Sequence, residues 1–164
     1  MEQKTITLKR GQVKGIYEYF ASQLQQEGKN AAFSYFVYKN AEYLAPEYSS
    51  IVKVVYNENT DEKFQEFRQK GTEIVTKYAD RDEQGNIKFD EKGQPIITEQ
   101  IAEFQEADKN LVAEYKDVLD NRSAKIKETI TFLETTSEYR LYVLPLKDFP
   151  NNTAPSIVGI FAEE

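Results

Sequence analysis

The stretch "DEKFQEFRQKGTEIVTKY" (61–78) decides the fold, because its apolar residues recur every three or four positions. That period predicts an amphipathic helix, and "TDEK" at its start resembles a helix cap. A second helix with the same spacing is predicted from about Thr98 to Asn121. The matching stripes predict two long helices that pack antiparallel around the loop connecting them. The stripe positions are Phe64, Phe67, Gly71, Ile74, Val75 and Tyr78, then Ile101, Phe104, Leu111, Tyr115 and Val118.

The segment before this pair predicts one strand and further helices. Alternation in "TITLK" (5–9) predicts a strand, and helical spacing from Gly11 to Gln26 predicts a helix that Gly28 ends. Another helix begins near Asn30, a favoured N-cap residue. Pro46 bends or breaks it, or a separate helix begins there with Pro46 in its first turn. The β-branched "SSIVKVVYN" is also compatible with a strand, which leaves residues 48–61 open between helix and strand.

The segment after the pair is less regular. "SAKIKETITFLETT" (123–136) is compatible with helix or strand, and the alternating "YRLYVLPL" (139–146) predicts a strand. The final "TAPSIVGIFAEE" predicts a short helix with Thr153 as its cap and Pro155 in its first turn. The predicted class is α+β, mainly α, in a single domain over 1–164. A small sheet would combine residues 5–9, a hairpin inserted at about 84–98 and residues 139–146.

The composition excludes several kinds of chemistry. The chain has no cysteine, histidine or tryptophan, which excludes disulfides, cysteine nucleophiles, Ser-His-Asp triads and the usual zinc ligands. Glycine-rich phosphate-binding signatures are absent, and the paired acids at 80/82 and 90/91 lie in a polar turn without the apolar pocket that acid catalysis needs. We therefore expect a protein that is not an enzyme and has no cofactor and no small-molecule substrate.

The charge pattern limits the choice of partner. There are 28 acidic and 21 basic residues, so the net charge is −7, which disfavours direct binding to nucleic acid. The two signs are mixed along the chain, as in an ordinary soluble surface. No run approaches the roughly 18 apolar residues of a membrane span, and "MEQKTITLKR" does not resemble a secretory signal. The expected partner is a protein or a second copy of the chain.

The stretch "DRDEQGNIKFDE" (80–91) has nearly the spacing of a calcium-binding EF-hand loop. Gly93 and Pro95 follow at once, however, where an EF-hand needs its exit helix. The preferred interpretation is a hairpin in which "GNIKF" and "PIIT" are strands and "DEKGQ" is the turn. The candidate calcium ligands are Asp80, Asp82, Gln84, the carbonyl of Asn86 and Glu91.

Aromatic residues are concentrated in "FSYFVYKNAEYLAPEY" (33–48). A helix buries one stripe, and Tyr35, Tyr38 and Tyr43 fall off the stripe that holds Phe33 and Phe36. Such a helix either lies at the centre of the fold or faces a partner, where tyrosine is favoured. The candidate partner interface is Tyr35, Tyr38, Tyr43 and Tyr48.

Three segments together resemble a known group of proteins. They are "AAFSYFVYKNAEYLAPE" (31–47), "KYADRDEQGNIKFDEKGQPIIT" (77–98) and "LPLKDFPNNTAPSIVGIFAEE" (144–164). In order and spacing they resemble small, mainly helical proteins of uncharacterised function encoded by tailed phages or prophages. Residues 48–61 depart from that pattern as an apparent insertion.

The resemblance implies two alternative roles, and it transfers no catalytic residue. The first is an accessory component of a virion or of its assembly, in a capsid, connector or tail. The second is a small acidic inhibitor of a host defence complex, such as an anti-CRISPR protein. Even mixing of charge favours the assembly role, and the expected location is the host cytoplasm during infection or the virion.

Overall fold

The computed structural model describes residues 1–26 and 30–163, and its elements confirm an α+β, mainly helical class. Short 3-10 turns lie at Glu58–Thr60 and Leu146–Asp148. In chain order the elements are β1 (Gln3–Lys9), α1 (Arg10–Leu24), α2 (Ala31–Val54), α3 (Glu62–Tyr78), α4 (Ile101–Glu114), α5 (Lys116–Glu134), β2 (Thr136–Tyr142), β3 (Leu144–Pro145), α6 (Pro155–Phe161) and β4 (Ala162–Glu163).

The chain divides into two compact units. Unit 1 comprises Met1–Val55 with Glu128–Glu164, and unit 2 comprises Tyr56–Lys127, so the boundary crosses α5. The assignment of 1–164 to a single domain stays a prediction, because compactness alone does not show whether either unit folds by itself.

Unit 1 contains the predicted strands of both chain ends. β1 and β2 pair antiparallel from Gln3 opposite Tyr142 to Lys9 opposite Thr136, and β3 pairs in parallel with β4. The inward side chains Leu8 and Leu141 are buried. The core beneath them is a cluster of phenylalanine rings whose contacting centroids lie 5.4–6.0 Å apart, in tilted or edge-to-face geometry. The cluster consists of Phe20, Phe33, Phe36, Phe149 and Phe161.

Helix α2 runs through Pro46 without ending, which settles the alternatives left open for this segment. Asn30 is the N-cap, as predicted: its side chain accepts a hydrogen bond from the amide of Phe33 at 2.8 Å. Pro46 lies on the exposed side, where the carbonyl that loses its amide donor can be hydrated. Residues 48–54 are therefore helix, and the chain leaves it at Val55.

Unit 2 contains the two antiparallel helices expected from the sequence. Asp61 caps α3 by accepting from the amide of Phe64 at 3.2 Å. Tyr78 at the end of α3 meets Phe104 near the start of α4, and Phe67 meets Tyr115, which directly follows α4. These two contacts at opposite ends establish the antiparallel order.

The predicted helix from Thr98 to Asn121 is wrong at both ends. α4 begins at Ile101, because the amides of Thr98 and Glu99 are hydrogen-bonded to Asp80. α4 ends at Tyr115, whose buried ring packs on Phe67 while its hydroxyl donates to Glu66 at 2.7 Å. A separate helix, α5, then continues to Glu134, so most of the ambiguous 123–136 segment is helix.

The connection between α3 and α4 contains two turns of the same type. The turns are "DEQGN" (82–86) and "DEKGQ" (90–94), and each begins with an aspartate. The backbone carbonyl of that aspartate accepts a hydrogen bond from the amide of the glycine three residues later, at 3.0 Å. Both glycines adopt positive φ, +88° for Gly85 and +74° for Gly93, a conformation that other residues rarely tolerate. The predicted turn at 90–94 is therefore one of a pair.

Backbone hydrogen bonds close these turns into a ring. The backbone amide of Asp80 donates to the carbonyl of Ile96, and the amide of Ile96 donates to the carbonyl of Lys88. The amide of Lys88 donates to the carbonyl of Asp80, and all three distances are 2.8–2.9 Å. The three residues are spaced by eight, the same interval that separates the two turns. This ring belongs to unit 2, whereas β1 and β2 lie in unit 1 and, among the described residues, pair only with each other. The predicted sheet that joined the hairpin to residues 5–9 and 139–146 is therefore wrong.

The last predicted cap is also wrong. α6 has Pro155 in its first turn, as expected, but its N-cap is Ala154 and no side chain of the described residues caps it. The hydroxyl of Thr153 is buried and has no hydrogen-bond partner among the described residues. The predicted helix stop at Gly28 lies outside the described residues.

Candidate functional site

Three tyrosines lie on the solvent-exposed side of α2. The exposed fractions of Tyr35, Tyr38 and Tyr43 are 51%, 50% and 51%, so half of each residue's surface faces solvent. They are therefore not core residues. We call this surface the tyrosine face and define it as Tyr35, Tyr38, Lys39, Glu42, Tyr43 and Pro46.

The core on the opposite side of α2 explains why the tyrosines point outward. Phe33, Phe36 and Leu44 are fully buried there and fix the rotation of the helix about its axis. Asn40, also fully buried, adds a directional contact, since its side-chain amide donates to the carbonyl of Tyr142 at 3.0 Å. Its side-chain oxygen accepts from the amide of Tyr142 at 2.9 Å.

An ion pair crosses the middle of the tyrosine face. The Nζ atom of Lys39 lies 2.9 Å from a carboxylate oxygen of Glu42, one helical turn away. That hydrogen bond raises the pKa of Lys39, and the same ammonium lies 5.6 Å from the ring centroid of Tyr38. The two charges cancel, so the surface between Tyr38 and Tyr43 is polar but carries no net charge.

Tyr48 lies apart from the other three predicted interface residues. Its ring stacks on Tyr17 of α1 with centroids 4.2 Å apart, and its hydroxyl is 3.4 Å from a carboxylate oxygen of Glu18. The structure therefore brings together Tyr35, Tyr38 and Tyr43 but directs Tyr48 to an intramolecular stack between α1 and α2.

The candidate calcium loop has the hydrogen bonds of a turn. Asp80 accepts from the amides of Thr98 at 3.1 Å and Glu99 at 3.2 Å and from the hydroxyl of Thr98. Asp82 accepts from the amides of Gln84 at 2.9 Å and Asn86 at 2.8 Å. These bonds lower the pKa of both aspartates; the main causes are the Thr98 hydroxyl for Asp80 and the Asn86 amide for Asp82.

The remaining candidate ligands do not complete a coordination shell. The carbonyl of Asn86 accepts from the amide of Asp82 at 2.9 Å, while Gln84 and Glu91 are exposed. Within residues 1–26 and 30–163, no group of three or more carboxylates is arranged to hold a metal ion. The EF-hand spacing coincides here with the repeat of two Asp-Glu turns.

Surface grooves in both units are open and shallow. One, between α3 and α4, is bordered by Lys70 and Glu114, which form an ion pair at 2.9 Å. Another, between α1 and α6, is lined by apolar side chains that include Ile16, Tyr19 and Ile160.

Sequence reasoning missed three contributors to this region. Lys39 and Glu42 were detectable, because they lie symmetrically inside the pattern "YKNAEY" (38–43). Asn40 was detectable only as a polar residue among the apolar positions of the buried stripe. Its role depends on β2, which is about a hundred residues away in the chain.

Comparison with protein-family models, with curated proteins and with solved structures found no match to this chain. Among the described helices, none is long and apolar enough to cross a membrane. The tyrosine face is therefore the feature of the molecule from which a function can be inferred.

Proposed function

We propose that this chain is a non-enzymatic assembly protein that acts by packing the tyrosine face of α2 against another protein surface. The observation that carries the proposal is the half-exposure of Tyr35, Tyr38 and Tyr43 on one side of a helix whose other side is fully buried. Tyrosine is enriched at protein interfaces, because it combines a large apolar ring with a hydroxyl and loses little side-chain entropy.

The packing of α2 against the core supports this role. The helix is anchored by the phenylalanine cluster and by both hydrogen bonds of Asn40. A surface held in this way pays little ordering entropy when it binds. The resemblance to tailed-phage proteins sets the proposed role in a virion or in its assembly, with the chain in the host cytoplasm or in the particle.

One observation favours the alternative of an acidic inhibitor of a host defence complex. Residues 56–127, which form unit 2, contain 17 acidic and 12 basic residues, a net charge of −5, whereas the rest of the chain is close to neutral. An acidic unit could occupy a basic site on a partner. Five of these 17 acids pair with lysine or arginine, as in Glu58 with Arg122 at 2.8 Å, which reduces the acidic surface that such a site could bind.

The assembly role is tested in cells that express the chain from its own genome. A tagged copy should sediment in a sucrose gradient with a large complex. The variant Tyr35→Ser, Tyr38→Ser, Tyr43→Ser should remain at the top of the gradient, because it loses the apolar area of three rings. Circular dichroism should show that this variant keeps its helices, since all three residues are exposed.

Phe89→Ser provides the matched control, since Phe89 is an aromatic residue with an exposed fraction of 57% outside the tyrosine face. It should sediment like the wild-type chain. Sedimentation of the wild-type chain as a free molecule at every stage would refute the assembly role.

A further inference from the structure

We infer that the tyrosine face binds the same face of a second copy, with the two α2 helices antiparallel about a two-fold axis. This inference rests on the proposed function and names the partner of that site. The six residues of the face fall within an arc of about 140° on an ideal helix, so one flat surface can contact all of them.

The face is complementary to itself when the axis passes between Asn40 and Ala41. Each residue of one copy then lies opposite a residue of the second copy that is equally far along the sequence from that point, but on its other side. Tyr38 meets Tyr43 of the second copy, Lys39 meets its Glu42, and Tyr35 meets its Pro46. Two-fold symmetry repeats every one of these contacts, as an isologous interface requires.

Charge selects the antiparallel arrangement over the parallel one. In a parallel pair in register, Lys39 would face Lys39 and Glu42 would face Glu42, and like charges in contact are unfavourable. In the antiparallel pair, each lysine lies near the glutamate of its own helix and the glutamate of the other. Four charges of alternating sign then form a neutral group between two tyrosine pairs.

The ends of the surface also permit close approach. Beyond the tyrosine face, the same two-fold axis places Ala31 opposite Ser50 of the second copy and Ala32 opposite its Ser49. All four residues are small and exposed. No net charge opposes contact along this strip, although each chain carries −7 overall. A single pair of helices buries an area at the low end of specific interfaces, so we expect a weak dimer with a Kd of about 10–100 µM.

The experiment is a charge-exchange cycle on the purified full chain, measured by sedimentation velocity from 5 µM to 1 mM. Lys39→Glu alone and Glu42→Lys alone should each weaken the dimer about tenfold, because two attractive pairs become repulsive. The double variant Lys39→Glu, Glu42→Lys should recover most of the wild-type affinity. An equimolar mixture of the two single variants should form a heterodimer tighter than either homodimer.

A matched control is Lys109→Glu, which makes the same charge change at an exposed position of α4 and should leave the Kd within about twofold of the wild-type value. A wild-type chain that remains monomeric at 1 mM would overturn the inference. So would single variants that associate as tightly as the wild-type chain.

These outcomes are separable from those of the assembly test. If the purified chain does not dimerise but its sedimentation in cells still depends on the three tyrosines, the assembly role stands and its partner is another protein. If the purified chain dimerises but is free in cells, the assembly role fails.

Discussion

Single polar residues inside the core fix the orientation of α2. Asn40 is the clearest case, because it is fully buried and pairs with both backbone groups of Tyr142. Buried backbone groups that lose their partner carry a desolvation cost, which makes such a contact specific for one arrangement of helix and strand. The side chain therefore acts together with the buried Phe33, Phe36 and Leu44 to determine which residues of α2 face outward.

The substitution Asn40→Ala should destabilise the protein by about 1–3 kcal/mol, because it leaves the amide and carbonyl of Tyr142 unpaired. Urea unfolding followed by circular dichroism measures the change. Ser49→Ala, at an exposed position of the same helix, should change the free energy of unfolding by less than about 0.5 kcal/mol. Equal stability of both variants would show that the Asn40 contact contributes nothing.

Single residues were also the hardest to predict from sequence. The Asn30 and Asp61 caps were predictable, because an N-cap bonds to an amide three residues away. Asn40 and the Asp80 contact with Thr98 were not, because their partners are distant in the chain and are chosen by tertiary packing. The Thr153 prediction failed because a cap residue type alone does not fix the direction of its hydroxyl.

Among the helices, α2 shows how far tertiary packing overrides a local signal. Pro46 disfavours a helix interior by about 3 kcal/mol relative to alanine, yet the helix continues for eight residues beyond it. Fully buried Leu44 and Ile51 lie on either side of Pro46 and hold the two halves in line. The periodicity of the sequence predicted where the helix lies. It did not show that the packing of buried residues would offset the destabilising effect of the proline.

Pro46→Ala should therefore raise the free energy of unfolding by about 1–3 kcal/mol, because alanine restores an amide donor and removes the clash of the ring with the preceding turn. Thermal or urea unfolding measures the gain. Ala45→Pro should do the opposite at the neighbouring position. A loss of stability in Pro46→Ala would mean that the proline ring contributes to packing more than it disturbs the helix.

The break at Tyr115 illustrates the opposite error. The apolar stripe continues from Leu111 to Val118, so the sequence predicted one helix. The ring of Tyr115 is instead drawn inward by Phe67 and by the carboxylate of Glu66, which separates α4 from α5. Hydrophobic period identifies which side of a helix is buried, but it is insensitive to a one-residue interruption.

Across the whole molecule, the response to acid is unevenly distributed. The carboxyl groups whose pKa is lowered by hydrogen bonds all lie in unit 2 among the described residues. For Asp61 the main cause is the amide of Phe64, and for Glu66 it is the hydroxyl of Tyr115. The full set is Asp61, Glu66, Asp80 and Asp82.

Unit 2 should therefore lose structure before unit 1 as the pH falls. When a carboxyl group has a lower pKa in the folded than in the unfolded state, it contributes to the stability of the fold. The contribution is complete at pH values above the unfolded pKa of about 3.9–4.3, and it is lost as the pH falls through the pKa of the folded state. In a nuclear magnetic resonance titration from pH 6 to 2, amide signals of α3 and α4 should collapse before those of β1 and β2. If the signals of β1 and β2 collapsed first, the prediction that unit 2 is the more acid-sensitive unit would be wrong.

The ring formed by Asp80, Lys88 and Ile96 determines where the chain tolerates added sequence. Connections between helices usually accept insertions almost anywhere, but here three backbone contacts fix the lengths between these residues. The two turns have exposed tips, at Gln84 and Lys92, that lie outside the ring. A peptide tag or fluorescent label placed at either tip would be displayed without disturbing α3 or α4, which makes the two turns natural attachment points for following this protein in cells.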